Sequence, residues 1–257
     1  MSPTPEIAAV KIGTFKPERV FPPTDKITLP LLRLMMATDD VRQASLLVST
    51  AHQQIDQTTG IQATFHGAQL WYAFKLLCSH LKEGGNAIGS LTSTVSDRRL
   101  EDLLRGRPAA LDALARLRTA FGKDSFITRV RDSIGFHYRE GDIKRVFERD
   151  LASGRIDAAV VACEVGVLSR FTITDVLAVH LVDDAAGADP TSGDEEFLKH
   201  AGEVTALAED LSTFVGHLVD ALLKQHGVSV TLDQIEVPPL LRAARDATER
   251  AEGAEKG

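Results

Sequence analysis

The chain has 257 residues, of which 44% are hydrophobic and 25% charged, with a formal net charge of −7. That length buries a core without disulfide or metal staples, and the acidic balance argues against non-specific nucleic-acid binding by the molecule as a whole. Two cysteines give no disulfide framework, and no apolar run reaches membrane-spanning length. Aromatics are 5% of the chain, which favours Ala- and Leu-rich helices over a large sheet. The opening segment MSPTPEIAAVKIG lacks the apolar stretch of a signal peptide, so the expectation is a cytoplasmic protein without a membrane anchor.

Residues 1–27, with five prolines, read as an extended arm. A short helix is predicted over Leu29 to Met36, with Pro30 in its first turn. Thr38-Asp39-Asp40 then offers an N-cap to a second helix whose stripe is Val41, Ala44, Val48, Ala51 and Ile55, stopped by Gly60. The next helix, about 62 to 83, carries Leu70, Trp71, Phe74, Leu77, Cys78 and Leu81. It is predicted to end at Gly84-Gly85, with residues 86–96 as loop. Asp97 caps a short helix over 98–105.

Pro108 opens a helix with Ala110, Leu114, Leu117 and Phe121 on one face, closed by Gly122. Asp124 caps another, with Ile127, Val130, Ile134 and His137 at helical spacing. Asp142 caps a third, with Ile143, Val146, Phe147 and Leu151 inside and Gly154 beyond it. The segments DAAVVACEV and VLSRFTIT, on either side of Gly166, read as two short strands in a small β-hairpin-like insertion, and strands are expected only over about 156–175. Asp183 to Thr191 reads as a polar loop. Ser192-Gly193-Asp194-Glu195 is a capping box opening a long helix with Phe197, Ala201, Val204, Ala208, Leu211, Val215, Leu218 and Leu222 in one seam, ended by Gly227. Such a seam exceeds what short neighbours cover and points to a partner helix.

The fold class is therefore mainly α: a helical bundle with the hairpin-like insertion and a long C-terminal helix. Its parts are an arm (1–27), a helical core (28–154), the insertion with the packing helix (155–227) and a charged tail (228–257).

Charge is uneven along the chain. Between Asp97 and Arg155 there are fourteen Arg or Lys against ten Asp or Glu, which reads either as a salt-bridged helical surface or as a basic groove on an acidic body. Metal signatures are absent: no His-x3-His pair and no Cys-x-x-Cys, while Glu196, His200 and Glu203 read as a solvated helix face. No phosphate-binding loop, Gly-x-Ser-x-Gly or dinucleotide fingerprint occurs. No cofactor is expected.

The segment from Arg131 through Asp132, Ser133, Ile134, Gly135 and Phe136 to His137 and Tyr138 places a His after an Arg with five residues between them, and a polar residue directly after the Arg. This resembles the Arg-x4-6-His motif of the HEPN superfamily of helical nucleotide-binding domains, many of them metal-independent RNases of toxin and antiviral systems. The resemblance implies a homodimer that cleaves RNA, with Arg131, Asp132 and His137 as catalytic residues and no metal. Arg129, Tyr138 and Arg139 would contact substrate. An antitoxin or other regulatory protein is the implied partner. Tyr138 follows His137 directly, whereas family members modified by an adenylyltransferase partner carry His-x-Tyr.

The residues also admit a second reading, because His137 continues the stripe of Ile127, Val130 and Ile134 and so fits a core histidine. On an ideal helix, Arg131 and His137 stand about 120° apart and ~9 Å along the axis. Convergence on one phosphate then needs a bend at Gly135 or a second protomer. Trp71 and Tyr72 are candidates to stack on a base, with an apolar helix face as the alternative for Trp71. The non-enzymatic alternative is a helical dimer acting as a nucleotide-binding or protein-interaction module through the 192–226 helix.

Overall fold

A computed structural model of the chain describes residues 7–13, 16–59, 61–121, 125–132, 140–154, 162–165, 168–171, 177, 180–182, 184–185, 187, 195–228 and 230–236. Its helices are α1 (Pro17–Val20), α2 (Thr28–Asp56), α3 (Ile61–Thr94), α4 (Asp97–Leu103), α5 (Pro108–Ala120), α6 (Phe126–Val130), α7 (Glu140–Ala152) and α8 (Glu195–Gln225). The fold is mainly α, as the composition implied.

α2 is one helix where the sequence suggested two. Leu31, Leu34, Ala37, Val41, Ala44 and Ala51 form an unbroken buried stripe along it. Thr38 does not cap. It is buried, and its hydroxyl donates to the Leu34 carbonyl one turn back at 2.7 Å. A threonine satisfied inside the helix has no need to end it, so packing overrides the polar triplet.

α3 likewise runs straight through Gly84-Gly85 to Thr94. A Cβ at Gly84 would lie 2.9 Å from Leu211 of α8, and one at Gly85 would lie 2.5 Å from Cγ of Phe121. The glycines let two neighbours reach the backbone; they are packing residues, not a stop signal. The connection after Asp56 is short, so α3 folds back antiparallel to α2, with Asp40 and His80 facing each other at 3.5 Å.

α4 begins at Asp97, but Ser96 is the cap, its hydroxyl accepting from the Arg99 N–H at 3.4 Å. α5 has Pro108 in its first turn and buries Ala110, Ala113, Leu114 and Leu117. It packs against α8, whose Val204, Ala208, Leu211, Phe214, Val215, Leu218 and Leu222 are all buried in the same cluster. Arg107 to Asp220 (2.8 Å) and the Arg116 fork on Asp210 (2.6 and 2.8 Å) fix the two helices antiparallel. From Val204 to Leu222 the α8 seam is thus covered by α5 and α2 of its own chain, while the side chain of Phe197 lies outside the described residues. Gly227, at φ +65°, closes α8 as expected, with the Val228 N–H returning to the Leu223 carbonyl.

The arm and tail are less separate than their composition suggested. Strand β1 (Ile7–Gly13) pairs antiparallel with the last strand, β4 (Val230–Glu236), in a register of Ile7 to Glu236 and Gly13 to Val230. Strand is therefore not confined to 156–175. Val20 and Ile27 enter the core, whose buried residues among those described run from Val20 to Leu222. Two four-residue segments, β2 (Ala162–Val165) and β3 (Leu168–Phe171), also pair antiparallel. The expected hairpin is not established as a unit, because residues 166–167 and both flanks lie outside the described residues.

Candidate functional site

α6 is short and held from three sides. Ser125 caps it, accepting from the Thr128 N–H at 3.3 Å; Asp124, the expected cap, lies outside the described residues. Phe126, Ile127 and Val130 are buried. The Phe126 ring lies 6.3 Å from Phe74 of α3 and stacks at 4.4 Å on His200 of α8. His200 also bonds Glu203 through Nδ1 at 2.9 Å, so that ring is a packing element.

Past Val130 the helix widens into a π-type turn at Arg131 and Asp132. The Arg131 guanidinium donates to Asp132 Oδ1 at 2.9 Å and lies 3.6 Å from Glu83 of α3. Its side chain is 31% exposed, yet its Nε is buried and meets no acceptor among the described residues. Such a turn commonly marks a functional position in a helix. His137, Tyr138 and Arg139 lie outside the described residues, so Arg131 and Asp132 are the catalytic candidates whose geometry is seen. Arg129 is differently employed: its Nε donates to the Ala185 carbonyl at 2.6 Å, tying α6 to the 180–185 segment. Trp71 packs edge-on to Phe74 at 6.2 Å, whereas Tyr72 is exposed.

A second constellation went unread in the sequence. Asp150, on α7, has no exposed surface. Arg149 grips it with both ends of its fork, Nε to Oδ1 at 2.7 Å and Nη2 to Oδ2 at 2.9 Å. His180 Nδ1 donates to the same carboxylate at 2.5 Å. Arg149 and Arg145, one turn apart, both donate to Asp184 Oδ1, at 2.8 and 2.6 Å, and Arg145 also holds Asp142 at 3.1 Å.

The Arg149 guanidinium, helped by His180, overcomes the cost of burial and holds the Asp150 carboxyl at about 2. Burial pushes Asp184 up, but the Arg145 and Arg149 guanidinia outweigh it and leave the group below its usual value. Asp150 replaces Leu151 on the buried face of α7, and Leu151 is exposed, against the predicted stripe. Within the expected polar loop of 183–191, residues 184–185 are helical and Ala185 is buried, next to a helical stretch at 180–182 whose Leu181 and Val182 are buried too. Two signals were present: a histidine inside the apolar run Val-Leu-Ala-Val-His-Leu-Val, and arginines spaced i, i+4 on α7. Nothing in sequence joined them, because the contact spans 30 residues.

Chemically this constellation is closed. Its guanidinia and carboxylates satisfy one another, so it clamps the 180–185 segment to α7 and leaves no fork open for an anion. A surface cavity of about 540 Å³ between α4, α5 and α8, lined by Arg99, Asp102, Arg107 and Lys224, is neutralised in the same way. Arg99 pairs with Asp25, and Asp220 takes both Arg107 and Lys224. No cluster of three His, Cys, Asp or Glu side chains among the described residues is placed to hold a metal ion. No described helix is long and apolar enough to cross a membrane. The chain matches no family model, no curated protein and no solved structure.

Proposed function

We propose that the chain is a metal-independent endoribonuclease of the HEPN type, of the kind found in toxin and phage-defence systems. Arg131 serves as its phosphate-binding cation and His137 as its proton-transfer group. The observation that carries the reading is the setting of Arg131. It is half-buried at a widened turn, oriented by the Asp132 next to it, and retains a buried N–H without an acceptor. A buried donor left unpaired costs about 1–3 kcal/mol, which a phosphate oxygen would recover. Glu83, at 3.6 Å, is beyond hydrogen-bond distance of the guanidinium. The mainly α fold around the motif supports the same reading, and the role of His137 rests on the resemblance.

The chemistry then runs through the substrate's own 2′-hydroxyl. Its oxygen attacks the adjacent phosphorus as the bond to the 5′-oxygen breaks. A histidine takes the 2′-proton and a protonated histidine supplies one to the leaving oxygen. Arg131 meets the charge that builds on the non-bridging oxygens. The products are a 2′,3′-cyclic phosphate and a 5′-hydroxyl.

Cleavage of RNA in EDTA, with those termini, is the expected result. Arg131→Ala and His137→Ala should each lower the rate by about 10²–10⁴-fold without lowering the melting temperature. Intact cleavage by a folded His137→Ala variant would rule out the assignment. A folded wild-type chain that cleaves no RNA would leave the non-catalytic helical module in its place.

A further inference from the structure

The core covers the α8 seam and leaves apolar surface elsewhere, on α2. Leu29 and Met36 are each 68% exposed, Leu47 is 47% exposed and Leu32 37%. Leu29, Leu32 and Met36 follow at steps of three and four, and Leu47 stands about five turns from Leu29, so the four share one side of the helix. It lies away from the buried stripe of Leu31, Leu34 and Val41. Arg33 and Asp40 flank Met36 on the same side, about two turns apart and opposite in charge. Arg33 makes no ion pair among the described residues, and the Asp40 side chain is 58% exposed despite its contact with His80. Exposed apolar side chains grouped with charges in this way mark an interaction surface.

We propose that this side of α2 docks against α2 of a second copy of the chain, antiparallel, across a two-fold axis near Met36. The charge pattern selects that occupant. In the antiparallel arrangement Arg33 meets the second copy's Asp40, and the same contact repeats on the other side of the axis. A parallel arrangement would set Arg33 against Arg33 and Asp40 against Asp40. Met36 packs on its own counterpart at the centre, while Leu29 reaches the level of residue 44 on the opposing helix, within a turn of Leu47. The surface is distinct from the 192–226 helix to which the sequence pointed, and the proposal stands whether or not the chain cleaves RNA.

Sedimentation equilibrium of the full chain at tens of micromolar should give twice the 27.8 kDa chain mass. Met36→Glu should raise the dissociation constant at least tenfold and leave the melting temperature of the monomer unchanged, because the side chain is exposed. Arg33→Glu and Asp40→Arg should each weaken the dimer by facing like charge with like. The double variant Arg33→Glu/Asp40→Arg should regain most of the loss, since each reversed charge again meets its opposite. A monomeric wild-type chain, a dimer indifferent to Met36→Glu, or a double variant no tighter than the singles would each overturn the proposal. A chain that dimerises only after removal of residues 237–257 would overturn it too, in favour of the tail as occupant.

Discussion

Asp150 has no exposed surface and accepts from both Arg149 and His180 at 2.5 to 2.9 Å, so one carboxylate joins α7 to the 180–185 segment. Asp150→Asn keeps the shape and removes the charge. The expected cost in urea unfolding at neutral pH is at the lower end of ~3–5 kcal/mol, because Arg149 still holds Asp184. The pH dependence has a definite sign. The folded group titrates at about 2 against an unfolded value of 3.8, so the unfolded chain binds the proton first. The stabilisation is complete above the unfolded value and disappears as pH falls through the folded one, about 2 kcal/mol in all. Subtracting the Asp150→Asn curve from that of the wild type between pH 6 and 2 should isolate this loss from that of Asp184. A difference that stays flat to pH 2 would mean that Asp150 is not held as the distances indicate.

Neighbouring helices decide what a glycine does, and α3 contains both outcomes. Gly85 lies under the Phe121 ring, whose root atom would be 2.5 Å from an added Cβ, and that atom is not the free end of a flexible chain. Gly85→Ala should therefore destabilise by about 1–3 kcal/mol in spite of its better helix propensity. Gly89, one turn on, is exposed and has nothing within 4 Å of the added methyl, so Gly89→Ala should stabilise by about 0.4–1 kcal/mol. Thermal unfolding of the two single variants tests the pair, and equal shifts would contradict the packing of α3 against Phe121. The helix caps show a related contrast. Ser96 and Ser125 act as caps through a hydroxyl at the right step, whereas Thr38 turns its hydroxyl inward and continues the helix.

Across the whole molecule, α8 is the element on which the others converge. Phe214 is fully buried on it, among residues contributed from Val20 through Leu222. Phe214→Ala should cost about 3–5 kcal/mol in a single cooperative transition, because one cluster joins the described helices. Two separate transitions would instead indicate that the chain divides, as the sequence-read boundary between 28–154 and 155–227 implied. Far-UV circular dichroism should be dominated by helix.

Local chemistry determined much of this protein before any tertiary contact was considered. The helical character, Pro108 at the start of α5, the α8 seam and its end at Gly227 all follow from propensity, period and turn conformation, which act within a few residues. The buried faces of α5 and α6 followed from spacing alone. Arg131 and Asp132 were legible as a pair because adjacency is a sequence property, but the unpaired Nε and the nearby Glu83 are not, since α3 supplies that environment. Only the tertiary structure decided that α2 and α3 run through their apparent stops, that α8 is covered by its own chain, and that the exposed apolar side belongs to α2. It also joined His180 to Asp150. Each of these depends on which surfaces meet across tens of residues, and a one-dimensional pattern specifies that a face is apolar without specifying what covers it.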